Sequence, residues 1–196
     1  MEMEDIKIYL AIISTAIAIF AATLYIKDIS QHKTKPHIYS WFVSFCTIFI
    51  AATIQFTNGS WHQSLSLSVT FLLNTIILLL AFKFGTKNIN NFDKSCLFFA
   101  IISLILFVSL KDKTLSLFMA CLTDVFGMLP TIRKTYIEPY TETISMYALA
   151  VIQYLLMITA LDKVTFLNGG YPITIAILFS VFVIMIIWRR KILSRI

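Results

Sequence analysis

The stretch "TDVFGMLPTIRKTYIEPYTET", residues Thr123 to Thr143, places charged residues and two prolines between strongly apolar segments. The chain around it is 59% hydrophobic and only 13% charged, whereas soluble domains carry about a quarter charged residues. A chain this apolar needs a solvent other than water over most of its surface. The sequence therefore predicts an all-α integral membrane protein, with this stretch at the end of one helix and the start of the next.

Within this stretch, two prolines flank a basic pair. Pro130 lacks a backbone N–H and its ring clashes with the preceding turn, so we expect it to end or kink its helix near one membrane surface. Arg133 and Lys134 would then lie in the headgroup zone. We expect Pro139 to start the next corner and Glu142 to lie near the start of the following helix, where an acid suits the helix dipole.

Seven apolar segments are candidates for transmembrane helices, each of which needs roughly 20 residues. They are Ile6–Ile26, Ile38–Phe56, Leu65–Phe82, Cys96–Leu110, Leu115–Ile132, Ile144–Leu161 and Tyr171–Trp188. The fourth segment is short, and an extension back to Phe92 is the alternative for its start. The connections between them are short and leave no room for a separate soluble domain. The first segment follows an acidic start, "MEMED", and is long enough to stay in the membrane, so we do not expect a cleaved signal peptide.

Basic residues are distributed unevenly between the two sets of alternating connections. Of the 16 lysines and arginines, only Lys7, Lys111, Lys113 and Lys163 fall on one set of connections and ends, and the rest fall on the other. Because this bias sets membrane orientation, we expect the N-terminus outside and the C-terminus in the cytoplasm. The net charge of +6 is then a topology signal and not a nucleic-acid-binding surface.

Patterns that carry chemistry are scarce in the sequence. The three cysteines, Cys46, Cys96 and Cys121, all lie in apolar segments without metal-ligand spacing. We therefore expect buried hydrophobic thiols, and neither a disulfide framework nor a zinc site. No serine with a nearby histidine lies in a segment, and no Gly-rich phosphate loop is present. We expect no enzyme, no cofactor and no metal.

The connections also indicate an internal repeat. Segments one and five run in the same direction, as do three and seven. The first cytoplasmic connection, "KTKPHIYSW", and the third, "YIEPYTETI", place Pro36 and Pro139 just before a new helix. We expect two parallel three-helix repeats, residues 1–84 and 114–196, joined by an inverting linker helix within residues 85–113. Parallel repeats are a known transporter plan, with the substrate site near the membrane midplane.

This 3+1+3 arrangement, the "PT" of Pro130 and Thr131 and the proline-led corners resemble the PQ-loop/SWEET superfamily. More narrowly, "KPHIYSW", "DVFGMLPTIRKTYIEPYTET" and "YP" before a last helix ending in "WRRK" resemble a group of uncharacterised bacterial seven-helix proteins. Lys27 and Asp28 stand where the first repeat of the superfamily would have its Pro-Gln pair. The resemblance implies a carrier of a small polar solute in the bacterial cytoplasmic membrane, with Pro130 as a hinge.

Four polar residues each occupy the tenth position of a predicted segment: Asn74, Asp124, Gln153 and Ser180. At a rise of about 1.5 Å per residue, each would lie near the bilayer centre. Polar groups are costly there against lipid, so we expect them to face the interior and form the solute site. The alternative for each is a hydrogen bond between helices that stabilises packing. Asn74 also matches, by position, the asparagine that SWEET-like carriers place against their solute.

Asp124 is the only acidic residue deep in any segment, and its helix holds no basic residue closer than Arg133. Desolvation of a lone carboxylate favours its neutral form. This would suit Asp124 to carry a proton, or to bind a cation or the amine of a solute. A structural hydrogen bond to another helix is the alternative.

The charged residues around the fifth helix end form a second candidate site. We expect Glu138 or Glu142 to pair with Lys134, Arg133 or Lys35 and to act as a cytoplasmic gate. The alternative is a topology anchor with ordinary helix capping.

Two classes of function are consistent with these features. The first is a transporter that moves a small polar solute by alternating access, with the lipid bilayer and the solute as its partners. The second is a non-transporting membrane receptor or scaffold that binds a small ligand or peptide in the same cavity, because the superfamily that the chain resembles includes peptide receptors. Seven helices can enclose a cavity without a second chain, so we expect a monomer or a homodimer.

Overall fold

The computed structural model describes residues 3–58, 61–159, 161 and 163–194. Within these residues the chain is all-α, with seven α-helices, one short 3-10 helix and no strand. The α-helices are α1 (Met3–Ser30), α2 (Ile38–Asn58), α3 (Trp61–Phe84), α4 (Asn91–Ser109), α5 (Lys113–Ile137), α6 (Ile144–Thr159) and α7 (Phe166–Leu193). The all-α class and the seven predicted helices are therefore confirmed.

Capping residues decide where several helices begin, and they move these starts away from the predicted ones. The Asn90 side chain accepts the backbone N–H of Asp93, and the Asp93 carboxylate accepts the N–H of Asn90, so α4 starts at Asn91, next to the earlier of its two predicted starts, Phe92 and Cys96. This reciprocal capping box satisfies two donors that a helix start would leave unpaired. A second capping box at Thr165 starts α7 at Phe166, earlier than the predicted Tyr171.

Pro130 does not end its helix. Helix α5 continues through the buried Pro130 to Ile137, so that part of the prediction is wrong. Packing against α2, α4 and α7 holds α5 in place, and neighbouring helices commonly compensate for a proline within a membrane helix. Pro139 does start the next corner as expected, because it opens the 3-10 helix Pro139–Thr141.

Within the described part of the chain, four helices are long and apolar enough to cross a membrane: α1 over Ile12–Ser30, α4, α5 and α7. The other three contain shorter apolar stretches, Ile38–Ala51, Ser68–Phe84 and Ile144–Thr159, among the residues with described side chains. Large apolar side chains cover the outside of the bundle, with Leu79 63% and Ile184 66% exposed. An apolar outer surface of this kind requires a non-aqueous environment. The structure therefore indicates an integral membrane protein.

The helices pack in a regular pattern. Helix α3 packs against both α1 and α2, and α7 packs against both α5 and α6. Between these two groups, α1 contacts α6 and α2 contacts α5, while α4 lies against α5 and α2. The α2–α5 approach is close, because a Cβ atom added to Gly127 would lie 2.7 Å from Val43 Cγ1.

Hydrogen bonds join three connections at one end of the bundle. The backbone N–H of Lys35 donates to Thr141 O (3.1 Å), and that of Thr86 donates to Pro36 O (3.0 Å). The helices therefore alternate in direction, so that α1, α3, α5 and α7 end where α2, α4 and α6 begin. We call this region, residues 31–37, 85–90 and 138–143 with the adjoining helix turns, the polar end.

Candidate functional site

The first buried ion pair at the polar end joins α4 to α5. The Arg133 guanidinium donates two hydrogen bonds to the Asp93 carboxylate, from Nε to Oδ1 (2.8 Å) and from Nη2 to Oδ2 (2.7 Å). It also donates to Asn88 O (2.6 Å), and Asp93 is fully buried. Two-pronged pairs of this kind are among the strongest charge-assisted hydrogen bonds. Asp93 therefore fixes the end of α5 against the start of α4.

This arrangement corrects the predicted partner of Arg133. The sequence suggested Glu138 or Glu142 as its partner, whereas the acid that it meets in the structure is Asp93. The acid lies 40 positions away in sequence, where only the packing of α4 on α5 brings the two together. The capping pattern formed by Asn90 and Asp93 before an apolar run could have shown that Asp93 begins a helix, but not which cation it meets.

The second buried ion pair confirms the predicted contact between Lys134 and Glu142. The Lys134 Nζ donates to Glu142 Oε2 (2.6 Å), to Lys35 O (2.9 Å) and to Thr141 O (3.0 Å). An ammonium has three donors, so all three are satisfied, and both side chains are almost fully buried. Lys35 thus contributes its carbonyl and not its ammonium group. Glu138 contributes its backbone N–H, which donates to Lys134 O at the end of α5.

Further hydrogen bonds bring the first and last helices into the same network. The Thr143 hydroxyl donates to Asp28 Oδ2 (2.8 Å) and also contacts the hydroxyl of Thr34. The Arg190 guanidinium of α7 donates to Pro139 O and to Glu142 O (2.6 Å). The polar end is therefore a continuous network that includes every connection on that side of the bundle and the last turns of α1, α5 and α7.

His37, which was not predicted as a site residue, is buried in the connection just before α2. Its Nε2 lies 3.5 Å from Asp93 Oδ2, and neither ring nitrogen has a hydrogen-bond partner among the described residues. Burial lowers the pKa of His37 to about 4; Asp93 opposes this shift, whereas Lys134 and Arg133 add to it. The imidazole is therefore neutral at physiological pH. It lies next to the Asp93 carboxylate, which is already paired with Arg133.

A second polar region lies inside the bundle and includes two of the four predicted solute-binding residues. Ser44 of α2 donates to Asn74 Oδ1 (3.0 Å), and Tyr171 of α7 donates to Asp124 Oδ2 (2.7 Å). Thr47 lies one turn from Ser44 on the same face of α2 and close to Asp124, and its hydroxyl donates to Val43 O of its own helix (3.0 Å). We call Ser44, Thr47, Asn74, Asp124 and Tyr171 the polar band, which runs from α3 through α2 and α5 to α7.

The other two predicted residues do not join this band through hydrogen bonds. The Ser180 hydroxyl donates to Ala176 O of its own helix (2.7 Å). Gln153 is partly exposed on α6. Within the described residues, no hydrogen bond links either of them to Asn74 or Asp124. Tyr171 was not predicted as a site residue because the apolar run of the last helix begins there, whereas the residue lies inside α7 and its hydroxyl donates to Asp124.

The fold and the two polar regions define a helical, membrane-spanning class of protein whose buried charges are concentrated at one end. A scan against protein-family models finds no matching family. Searches of curated proteins and of solved structures find no significant match.

Proposed function

We propose that the chain is a membrane carrier that moves a small polar solute by alternating access between two three-helix bundles. The bundles are α1–α3 and α5–α7, with α4 as the linker, and all seven helices cross the membrane. The polar end faces the cytoplasm, as the basic residues on that side favour. This is the arrangement expected of a SWEET-like protein in a bacterial cytoplasmic membrane.

The helix contacts are the observation that supports this proposal most directly. Helices α1, α2 and α3 can be matched in order with α5, α6 and α7. In this match, the α1–α3 and α2–α3 contacts of the first bundle correspond to the α5–α7 and α6–α7 contacts of the second. The α1–α6 contact between the bundles corresponds in the same way to the α2–α5 contact, so the two bundles meet through two equivalent interfaces. Two parallel repeats that meet in this way can rock against each other about a fixed central site.

The polar end supplies a candidate gate between the bundles. The bonds from Lys134 Nζ to Lys35 O, from Lys35 N–H to Thr141 O and from Thr143 to Asp28 all cross from one bundle to the other. Glu142 belongs to the same bundle as Lys134 and holds its ammonium in position. Opening this end requires the bonds between bundles to break, while the Lys134–Glu142 pair can remain intact.

The polar band supplies a candidate solute site. Asn74 and Ser44 belong to the first bundle, Asp124 and Tyr171 belong to the second, and Thr47 lies at the α2–α5 interface between them. Polar groups inside membrane helices are costly and mark solute or ion pathways more often than not. In this proposal the band contacts the solute, and Asp124 carries the proton or binds a cationic group.

A reversible cross-link across the gate tests the proposal. Thr34 and Thr143 belong to different bundles, and their hydroxyls are in contact, so cysteines at both positions are close enough for a disulfide. The double variant Thr34→Cys/Thr143→Cys would be made with the three native cysteines replaced by serine. Uptake into proteoliposomes would be measured for labelled sugars, neutral amino acids and amines, before and after oxidation.

We expect uptake of one solute class by the reduced protein, its loss on oxidation and its recovery with a reductant. The single variants Thr34→Cys and Thr143→Cys are the controls and should not respond to oxidation. If the wild-type protein takes up none of these solute classes but binds one of them saturably, the carrier proposal is wrong and the receptor alternative takes its place. Unchanged uptake with a verified cross-link would exclude the polar end as a gate.

A further inference from the structure

A groove of about 450 Å³ opens at the polar end beside the ion-paired network. Its lining includes His32, Lys35, Lys83, Lys87, Asn88 and Glu138. The three lysines are exposed, and Glu138 is the single acid among the lining residues. From the sequence, these lysines were predicted only as topology signals and, for Lys35, also as a gate residue. We propose that this groove binds a phosphate-bearing ligand, independently of whether the chain transports a solute.

The groove is formed by segments that are distant in sequence and held together by hydrogen bonds. Lys35 comes from the α1–α2 connection, and its backbone N–H is bonded to Thr141 O (3.1 Å). Lys87 and Asn88 come from the α3–α4 connection, where Asn88 O accepts a hydrogen bond from Arg133 (2.6 Å). Because these backbones are fixed by the buried network, the lysines converge on a preorganised groove, which lowers the cost of binding.

The side of the groove next to α3 is equally constrained. A Cβ atom added to Gly85 would lie 2.2 Å from Ala81 O and 2.8 Å from Pro36 O, so the backbone packs closely there. The Phe84 ring, which also lines the groove, contacts the His32 ring at 5.1 Å between centroids. The Lys83 ammonium lies 5.1 Å from the same ring, within the range of a cation–π contact. Phe84 therefore positions two of the polar side chains of the groove.

The hydrogen-bonding groups of this groove suit a ligand that carries a phosphate group beside a hydroxyl or an amine. Lysine ammonium groups are established phosphate ligands, and the Asn88 side chain adds amide donors. Glu138 would repel the phosphate itself but can accept a hydrogen bond from a hydroxyl or ammonium group on the same ligand. Glycerol phosphate has this chemistry, both as a soluble molecule and as the headgroup of an anionic phospholipid.

Binding to the full-length protein in an uncharged detergent tests this proposal. Native mass spectrometry would measure binding of short-chain phosphatidylglycerol, of soluble glycerol phosphate and of phosphatidylcholine as a zwitterionic lipid. The groove variant is Lys83→Gln/Lys87→Gln. The matched control is Lys111→Gln/Lys113→Gln, which removes the same charge from the opposite end of the bundle. Thermal unfolding would verify that both variants remain folded.

We expect phosphatidylglycerol to bind in preference to phosphatidylcholine. The groove variant should weaken that binding by at least roughly tenfold, because the loss of either one of its two lysine hydrogen bonds would have an effect of that size. The control should bind as the wild type does. Binding of soluble glycerol phosphate as well would identify the phosphate group as sufficient, whereas binding of the lipid alone would assign the groove to a membrane headgroup. Equal losses in both variants, equal binding of the two lipids, or no binding of either phosphate ligand would overturn the proposal.

Discussion

The polar end and the polar band stabilise their buried polar groups through different kinds of hydrogen bonds. At the polar end, charges of both signs are buried, and each cation donates several hydrogen bonds to carboxylates and backbone carbonyls. In the band, single hydrogen bonds join small polar groups, and Asp124 is the only acid there. The irregular connections of the polar end offer carbonyls that no helix uses, whereas the carbonyls around the band belong to regular helices and, among the described residues, accept side-chain hydrogen bonds only from their own helix, as from Thr47 and Asn74. We therefore expect the polar end to determine stability and the band to determine function.

Breaking the Lys134–Glu142 pair should have the largest effect on stability. Lys134→Met leaves the Glu142 carboxylate buried without its cation, which typically destabilises a protein by about 3–5 kcal/mol. The measurement is the free energy of unfolding in detergent micelles. Lys111→Met, at an exposed position, is the control and should change the free energy by less than about 0.5 kcal/mol. A similarly small effect of Lys134→Met would show that the network does not stabilise the bundle.

Weakening the Arg133–Asp93 pair should have the next largest effect. Arg133→Lys keeps the charge but loses the planar, two-pronged geometry, so we expect a loss of about 2–3 kcal/mol. The same unfolding measurement applies. A variant as stable as the wild type would indicate that the charge alone, and not the fork of hydrogen bonds, holds α4 against α5.

The stability of the polar end should also depend on pH through His37. Its pKa is lowered to about 4 in the folded protein, below the unfolded value of about 6.5. The unfolded chain therefore binds more protons between these values, and stability should fall as the pH decreases through this window. We expect a loss of about 2 kcal/mol between pH 8 and pH 5.

His37→Gln should remove most of this pH dependence, because glutamine does not titrate in this range. The charged groups that face His37 are Asp93, Arg133 and Lys134, and none of them changes in the variant. The same pH dependence in wild type and variant would assign it to other groups.

The smallest effect on stability is expected in the polar band. Asp124→Asn keeps an oxygen that can accept the Tyr171 hydroxyl, so we expect a loss below about 1 kcal/mol, as for other hydrogen bonds between membrane helices. If Asp124 carries the coupled proton, uptake driven by a pH gradient should nevertheless disappear in this variant. Unchanged pH-driven uptake would exclude the proton role, and a variant that does not fold would show that the Asp124 carboxylate itself is structural.

The sequence alone determined which segments of this protein form helices. Apolar runs of sufficient length predict helices directly, and all seven were found, because hydropathy is a property of contiguous residues. The Lys134–Glu142 pair was also within reach, since both residues flank one short corner and lie eight positions apart. The start of α7 was placed too late and that of α4 was left open between Phe92 and Cys96, because hydropathy identifies the apolar part of a helix, while capping side chains decide where it begins.

Only the tertiary structure decided which buried groups meet. Arg133 had acids nearby in sequence, yet it pairs with Asp93, and Asp124 has its partner 47 positions away in Tyr171. These contacts depend on which helices pack together and how each is rotated, neither of which hydropathy specifies. The physical reason is that apolar residues can face lipid in many orientations, whereas a buried charge or hydroxyl is stable only where another helix or connection supplies its partner.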